Sequence, residues 1–313
     1  MVSAVIFVAT SCVSPLTGFA FWETNLAYEG ESIYNYLQVK NLSDRTILST
    51  NVLFGVQSVT MKDKGLTGMY YDTALAAPAL ADNANSALIL GMGTGTYARQ
   101  LKQYYPKMNI TGVEIDQKIT DLAGEYFDEP ADIPVTTYDG RAWLAASHDK
   151  YDVIMVDAYQ DITIPFQMSS TEFFTMVREH LNPGGVMVVN MNMISDGQGS
   201  INEALNDTIA SVFGNGNTLT ADVPNTTNRE LFAKKPGSGS EENSMQQASK
   251  ALNLRETTYE RTGSEDLEWY MEEVASRFRK VNEPDSASTI LTDDKAPVEV
   301  LGNIQNKCRQ GIQ

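Results

Sequence analysis

Cysteine and histidine are nearly absent from this chain. Its two cysteines, Cys12 and Cys308, stand at opposite ends, and its two histidines, His148 and His180, are far apart with no cysteine beside them. That pattern supplies neither a disulfide framework nor metal-ligand spacing, so no metal is expected. It also argues against a Ser-His-Asp triad. Positive charge is scarce: 23 Lys and Arg face 40 Asp and Glu, a formal net charge of −17. Nucleic acid is excluded as a partner on this ground, because phosphate binding needs basic patches. A cationic small molecule suits such a chain better. Residues 1–22 carry no charged side chain at all, and no Lys or Arg precedes Lys40. This apolar leader is just long enough to span a bilayer, but Ser, Thr and Pro dilute it and no basic flank orients it. Two readings stand: a membrane segment, or a buried or disordered leader.

What is present is concentrated in residues 88–116, LILGMGTGTYARQLKQYYPKMNITGVEID. An apolar strand runs into Gly91, Gly93 and Gly95, a helical pattern follows, and a second apolar run ends at Glu114 and Asp116. Glycines allow a sharp turn off a buried strand and a close approach of backbone to ligand. An acid at the tip of the next strand can accept both hydroxyls of a ribose. The predicted ligand therefore contains a nucleoside. The loop is not a full GxGxxG pattern, since its third glycine comes one position early, and no Gly-Lys-Ser/Thr follows to make a P-loop.

Around this unit the chain falls into four expected parts: the leader (1–22), a small β-rich domain (23–83), a nucleoside-binding domain (84–236), and a linker with a helical extension (237–313). Strands are expected at 32–40, 45–50 and 55–61, then a helix at 69–80. From residue 86 strands at 87–91, 110–115, 134–138, 152–157 and 185–191 alternate with helices at 96–104, 117–127, 140–147 and 170–181. Such alternation implies a doubly wound parallel sheet. Residues 217–223 and 229–234 leave no room for a helix between them, so they form a terminal antiparallel hairpin. That is the layout of S-adenosylmethionine-dependent methyltransferases and their relatives. The expected fold is thus α/β, Rossmann-like and methyltransferase-type, preceded by a small antiparallel β domain. Residues 236–243 read as a linker, 267–280 as an amphipathic stretch and 292–301 as a polar tail.

Asp157 ends the buried strand YDVIMVD, on the rim where ligands bind in open α/β sheets. A carboxylate there can orient a nucleophile or take its proton. The plainer alternative is a turn cap. Asp139, followed by Gly140, can accept a hydrogen bond from an adenine amino group, or cap the next helix, or both.

Over roughly residues 32–195 these motifs resemble the spermidine synthase (polyamine aminopropyltransferase) family, and within it the bacterial spermidine synthase-like proteins, some of them fused to membrane segments. Gly55-Val56-Gln57 resembles the family segment whose glutamine lines the nucleoside pocket. ILGMGTG resembles its glycine loop, VEID its ribose-binding strand end, Asp139-Gly140 its adenine-side pair, and the strand ending at Asp157 the one that bears its catalytic aspartate. Tyr70-Tyr71-Asp72 stands where the family has Tyr-His-Glu. Two departures matter. Thr94 replaces the loop aspartate that grips the donor's ammonium, and Gln160 replaces a second aspartate that helps hold the polyamine, with Asp161 one residue late. A charge-assisted bond contributes roughly 1.5–3 kcal/mol, so each loss weakens a cationic ligand by about ten- to a hundredfold.

The resemblance implies a transferase that moves an aminopropyl group from decarboxylated S-adenosylmethionine to an amine such as putrescine. Asp157 is then the catalytic residue. Gln57, Gly91, Gly93, Thr94, Gly95, Glu114, Asp139 and Gly140 hold the co-substrate, and Tyr71, Asp72, Tyr159 and Asp161 line the acceptor pocket. Thr94 and Gln160 keep open a methyltransferase using intact S-adenosylmethionine. A non-catalytic nucleoside-binding accessory domain is the third reading. The donor is made in the cytoplasm, so a cytoplasmic catalytic domain is expected, anchored or not. A β-rich N-terminal domain often pairs subunits in that family, which makes a homodimer an expectation.

Overall fold

The computed structural model describes residues 20, 23–51, 55–128, 130–158, 164–192, 199–214, 216–237, 254–298 and 301. The leader expected at 1–22 lies almost wholly outside them. Among the described residues no helix is long and apolar enough to cross a membrane.

Two sheets organise the chain. The smaller is an antiparallel meander of β1 (Leu26–Glu31), β2 (Tyr36–Asn41), β3 (Arg45–Thr50) and β4 (Ser58–Met61). Its alternating Leu37, Val39 and Leu48 are buried against Ile119, Leu122 and Phe127, so this sheet packs on a helix of the larger unit. The strand expected at 32–40 begins only at Tyr36, and β1 before it was not expected. Ser32 turns the chain by accepting the amides of Tyr34 and Asn35 on its hydroxyl, which then donates to Asp116.

The larger sheet is built from β5 (Ser86–Leu90), β6 (Asn109–Glu114), β7 (Val135–Thr137), β8 (Tyr151–Val156), β9 (Leu181–Asn192), β10 (Thr218–Asp222), β11 (Asn228–Lys234) and the two-residue β12 (Arg279–Lys280). Their order is β12-β10-β11-β9-β8-β5-β6-β7. Strands β5 to β9 pair in parallel, whereas β11 is antiparallel to both β9 and β10, which is the expected terminal hairpin. The centre reads as continuous apolar runs because both faces are covered.

The expected helix at 69–80 is two short ones, α1 (Tyr70–Ala74) and α2 (Ala76–Leu80). Pro78 has no amide to give the Ala74 carbonyl, and that carbonyl instead accepts the Tyr97 hydroxyl at 3.1 Å. Both helices are buried in the core shared by Ile89, Val153 and Val188. Both helices, which precede the boundary expected at residue 83, thus pack on the large sheet.

Helices α3 (Thr96–Tyr104), α4 (Gln117–Tyr126), α5 (Gly140–Ala146) and α6 (Thr171–His180) lie where expected. Three others do so only in part or not at all: α7 (Ile201–Phe213) was not anticipated, α8 (Leu254–Thr262) falls in the expected helical extension without a predicted position, and α9 (Glu265–Arg277) covers most of the amphipathic stretch. The polar tail is partly core. Val298 is buried, as is Leu291 just before the tail, and Asp293 accepts from both terminal nitrogens of Arg141 and from the Ser170 hydroxyl.

Candidate active site

Four strand ends on one rim of the large sheet form the site. Strand β5 ends at Leu90, and the chain then turns through Gly91, Gly93 and Gly95, all with positive φ. At Gly91 (φ +89°) the requirement is also steric. A Cβ there would lie 2.4 Å from the Asp157 carbonyl oxygen. The loop and the end of β8 thus touch, backbone to backbone, and the Asp157 amide donates to the Leu90 carbonyl at 2.9 Å.

Glu114, at the end of β6, is buried and reaches back to the loop. Its carboxylate accepts from the Gly93 amide at 2.8 Å and the Asp116 amide at 3.0 Å. Burial raises its pKa, against the pull of those two bonds. Asp139 ends the third strand's turn and caps α5, accepting from the Ala142 amide at 2.8 Å. Its remaining acceptor capacity is open, so cap and ligand roles are compatible. Gly140 sits beside it, with Leu90 and Met168 as nearest neighbours.

Asp157 is held by two donors. The Tyr70 hydroxyl donates to Oδ2 at 2.6 Å, and the Asn190 side-chain amide donates to Oδ1 at 2.9 Å. Asn228 in turn donates to the Asn190 oxygen at 2.8 Å, which fixes the amide's orientation. Burial pushes the Asp157 carboxyl up to about 7, and Glu114 adds to the rise, while the Tyr70 and Asn190 bonds oppose it. A carboxyl poised near neutrality can hold or take a proton at working pH.

Tyr71 stacks on Tyr70 with ring centroids 4.0 Å apart and donates its hydroxyl to the Gln57 backbone carbonyl at 2.7 Å. It thereby ties the Gln57 segment to the rim. Thr94 is fully buried, and its hydroxyl oxygen has no hydrogen-bond partner among the described residues.

Asp72 is a correction. The sequence places it on the acceptor pocket wall, but its carboxylate is fully buried and accepts from the Thr67 amide and hydroxyl, the Gly68 amide and the Gln100 side chain. It braces the turn ahead of α1. Tyr70, two residues earlier, is the side chain of that motif that reaches Asp157. Tyr159, Gln160 and Asp161 lie outside the described residues. Sequence reasoning assigned no role to Tyr70, Asn190 or Asn228. The one available signal was polar Asn190 inside the otherwise apolar run of β9.

Comparison with known proteins shows the family and the fold. A family model described as the spermine/spermidine synthase domain matches residues 69–235. A protein of Bifidobacterium longum (strain NCC 2705), a probable polyamine aminopropyl transferase, is 99% identical over 302 residues, covering 96% of this chain and 68% of that protein. A polyamine aminopropyltransferase of Vibrio vulnificus is 28% identical over 185 residues, 56% of this chain and 62% of that protein. Among solved structures, a probable spermidine synthase from Corynebacterium glutamicum superposes with a TM-score of 0.57 at 20% identity, covering 84% of this chain and 99% of its own. A spermidine synthase in complex with the transition state analogue AdoDATO gives 0.54 at 18% identity, covering 67% and 72%. At such identities these two likenesses speak to the fold. With the family model spanning more than half of the chain and a near-identical relative beside it, the chain belongs to the spermine/spermidine synthase family.

Proposed function

We propose that this protein transfers the aminopropyl group of decarboxylated S-adenosylmethionine to a small amine. The observation that carries the reading is Asp157 itself. It is a carboxyl pushed up to about 7, clasped by Tyr70 and Asn190, in backbone contact with the glycine loop. A sulfonium leaves without acid catalysis, so the protein's tasks are in-line placement and removal of one proton. The acceptor nitrogen attacks the carbon next to sulfur. The C–N bond forms as the C–S bond breaks, its electron pair goes to sulfur, and neutral methylthioadenosine departs. The proton from the new ammonium passes to the Asp157 carboxylate and then to solvent.

In this reading Glu114 holds the ribose and Asp139 with Gly140 the adenine, while Gln57 lines the nucleoside pocket. Gly91, Gly93, Thr94 and Gly95 pass beside the sulfonium side chain. A ribose at Glu114 competes with the Gly93 amide for the same carboxylate, so the loop shifts or shares it on binding. Tyr71 borders the acceptor side, with Tyr159 and Asp161 assigned there on sequence alone. Asp157→Asn tests the reading. Turnover should fall by about 10²–10⁴-fold while methylthioadenosine binds as before. Retained turnover would remove Asp157 from the mechanism.

Thr94 favours a second reading. A buried hydroxyl in place of a carboxylate would not repel the carboxylate of intact S-adenosylmethionine, which suits methyl transfer. Labelled donors separate the two, since only methyl transfer carries the labelled methyl group from the intact donor to the acceptor.

A further inference from the structure

Glu230 sits in the middle of β11, opposite Asn190 of β9 and Ala221 of β10. Directly paired residues put their side chains on the same face of a sheet, with Cβ atoms about 4.5–5.5 Å apart. Glu230 therefore shares a face with the amide that holds Asp157. It is fully buried, and neither of its carboxyl oxygens has a hydrogen-bond partner. That is unusual, since a buried carboxyl is nearly always paired.

The donors nearby make their hydrogen bonds to other groups. The Asn190 amide donates to Asp157 and the Asn228 amide to Asn190. The Tyr97 hydroxyl donates to the Ala74 carbonyl, and Tyr70 to Asp157. Lys234, the buried cation on the same strand, is committed to the Leu80 carbonyl and to Asp82. Burial raises the Glu230 carboxyl well above the usual range, and the nearby Asp157 charge adds to it. Among the described residues Glu230 is thus an acid with no hydrogen-bond partner, one side chain removed from the candidate catalytic carboxylate.

We propose that Glu230 receives the non-reacting ammonium of a short diamine whose other nitrogen lies at Asp157. The inference rests on the aminopropyl-transfer reading and adds to it a residue that reads the acceptor's second charge. The attacking nitrogen must be neutral, but the far nitrogen of a diamine stays charged. Away from water that charge needs an anion. Asp72 is fully engaged with its own turn, whereas the carboxyl oxygens of buried Glu230 are unpaired among the described residues. As the ammonium arrives, the neutral Glu230 carboxyl releases its proton to solvent and an ion pair forms.

Steady-state transfer from decarboxylated S-adenosylmethionine, read as methylthioadenosine release, tests this with putrescine and butylamine as acceptors. Glu230→Gln keeps the shape and removes the charge. The wild type should prefer the diamine. In Glu230→Gln the KM for putrescine should rise roughly ten- to a hundredfold, and the diamine-over-monoamine preference should fall by the same factor. Glu230→Asp should recover part of both. Methylthioadenosine affinity should be unchanged, and the variant should melt no lower than the wild type, because an orphaned acid burdens the fold. An unchanged putrescine KM, an equal loss for both amines, or a variant that no longer binds methylthioadenosine would overturn the inference. Wild-type protein that aminopropylates no amine would instead overturn the functional reading, and this inference with it.

Discussion

Replacing Tyr70 by phenylalanine removes one hydrogen bond from Asp157 and the contact of its hydroxyl with the Tyr71 hydroxyl. The tyrosine hydroxyl donates to the carboxylate at 2.6 Å and favours its charged form, against the burial that pushes the group up to about 7. A hydrogen bond to a charged group contributes roughly 1.5–3 kcal/mol, and one pH unit corresponds to about 1.4 kcal/mol. Without Tyr70 the Asp157 carboxyl should hold its proton to a pH about 1–2 units higher. Only the carboxylate can take the proton of the new ammonium. The acid limb of kcat/KM for the amine should therefore move up by about 1–2 pH units, with a far smaller change on the alkaline side. Comparing wild type and Tyr70→Phe over the same pH series cancels the acceptor's own ionisation, which is common to both. An acid limb that stays in place, or moves to lower pH, would refute the reasoning. A uniform loss at every pH would mean that Tyr70 binds substrate without tuning Asp157.

Three further outcomes follow from the same contacts. Because the Asp157 carboxyl titrates higher in the folded protein than in the unfolded chain, its ionisation weakens the fold as pH rises from 3.8 through about 7. Asp157→Asn should then unfold at higher urea than the wild type above neutral pH, by at most about 4 kcal/mol, and the gap should close as pH falls to about 4; a gap independent of pH would contradict the burial argument. Gly91→Ala puts a Cβ at 2.4 Å from the Asp157 carbonyl at a φ of +89°, so calorimetry should show methylthioadenosine affinity lost or severely cut. Asp72→Ala leaves the buried donors of Thr67, Gly68 and Gln100 without their acceptor and should cost about 3 kcal/mol or more in urea denaturation, with the amine KM of the folded protein unchanged. A raised KM at unaltered stability would return Asp72 to the acceptor pocket.

What was legible in the sequence was local. The β5-loop-α3-β6 unit announces itself through apolar runs, glycines and an acid at fixed offsets, and Asp157 through the strand it ends. The terminal hairpin could be read because five residues cannot hold a crossover helix. What was hidden depends on contacts between distant strands. Tyr70 and Asp157 are 87 positions apart, and nothing in either segment foretells their bond. Asn190, Asn228 and Glu230 are polar residues in buried strands, and only the register of β9 against β11 brings them together. Asp72 misled because its motif resembles a pocket segment, whereas its carboxylate turns into the fold. Helix α8 is polar, with three threonines and only Leu254, Thr257 and Thr258 buried, so no apolar stripe marks it. Helix α7 does carry apolar residues at 201, 204, 205, 209 and 213, and a closer count of its period would have found it.

The most direct measurement of the central claim is product identification after incubating the protein and a diamine with each donor in turn. Decarboxylated S-adenosylmethionine should yield methylthioadenosine and an amine lengthened by an aminopropyl group, with no reaction of the intact donor. S-adenosylhomocysteine and a methylated amine from the intact donor, or no product from either, would contradict the account.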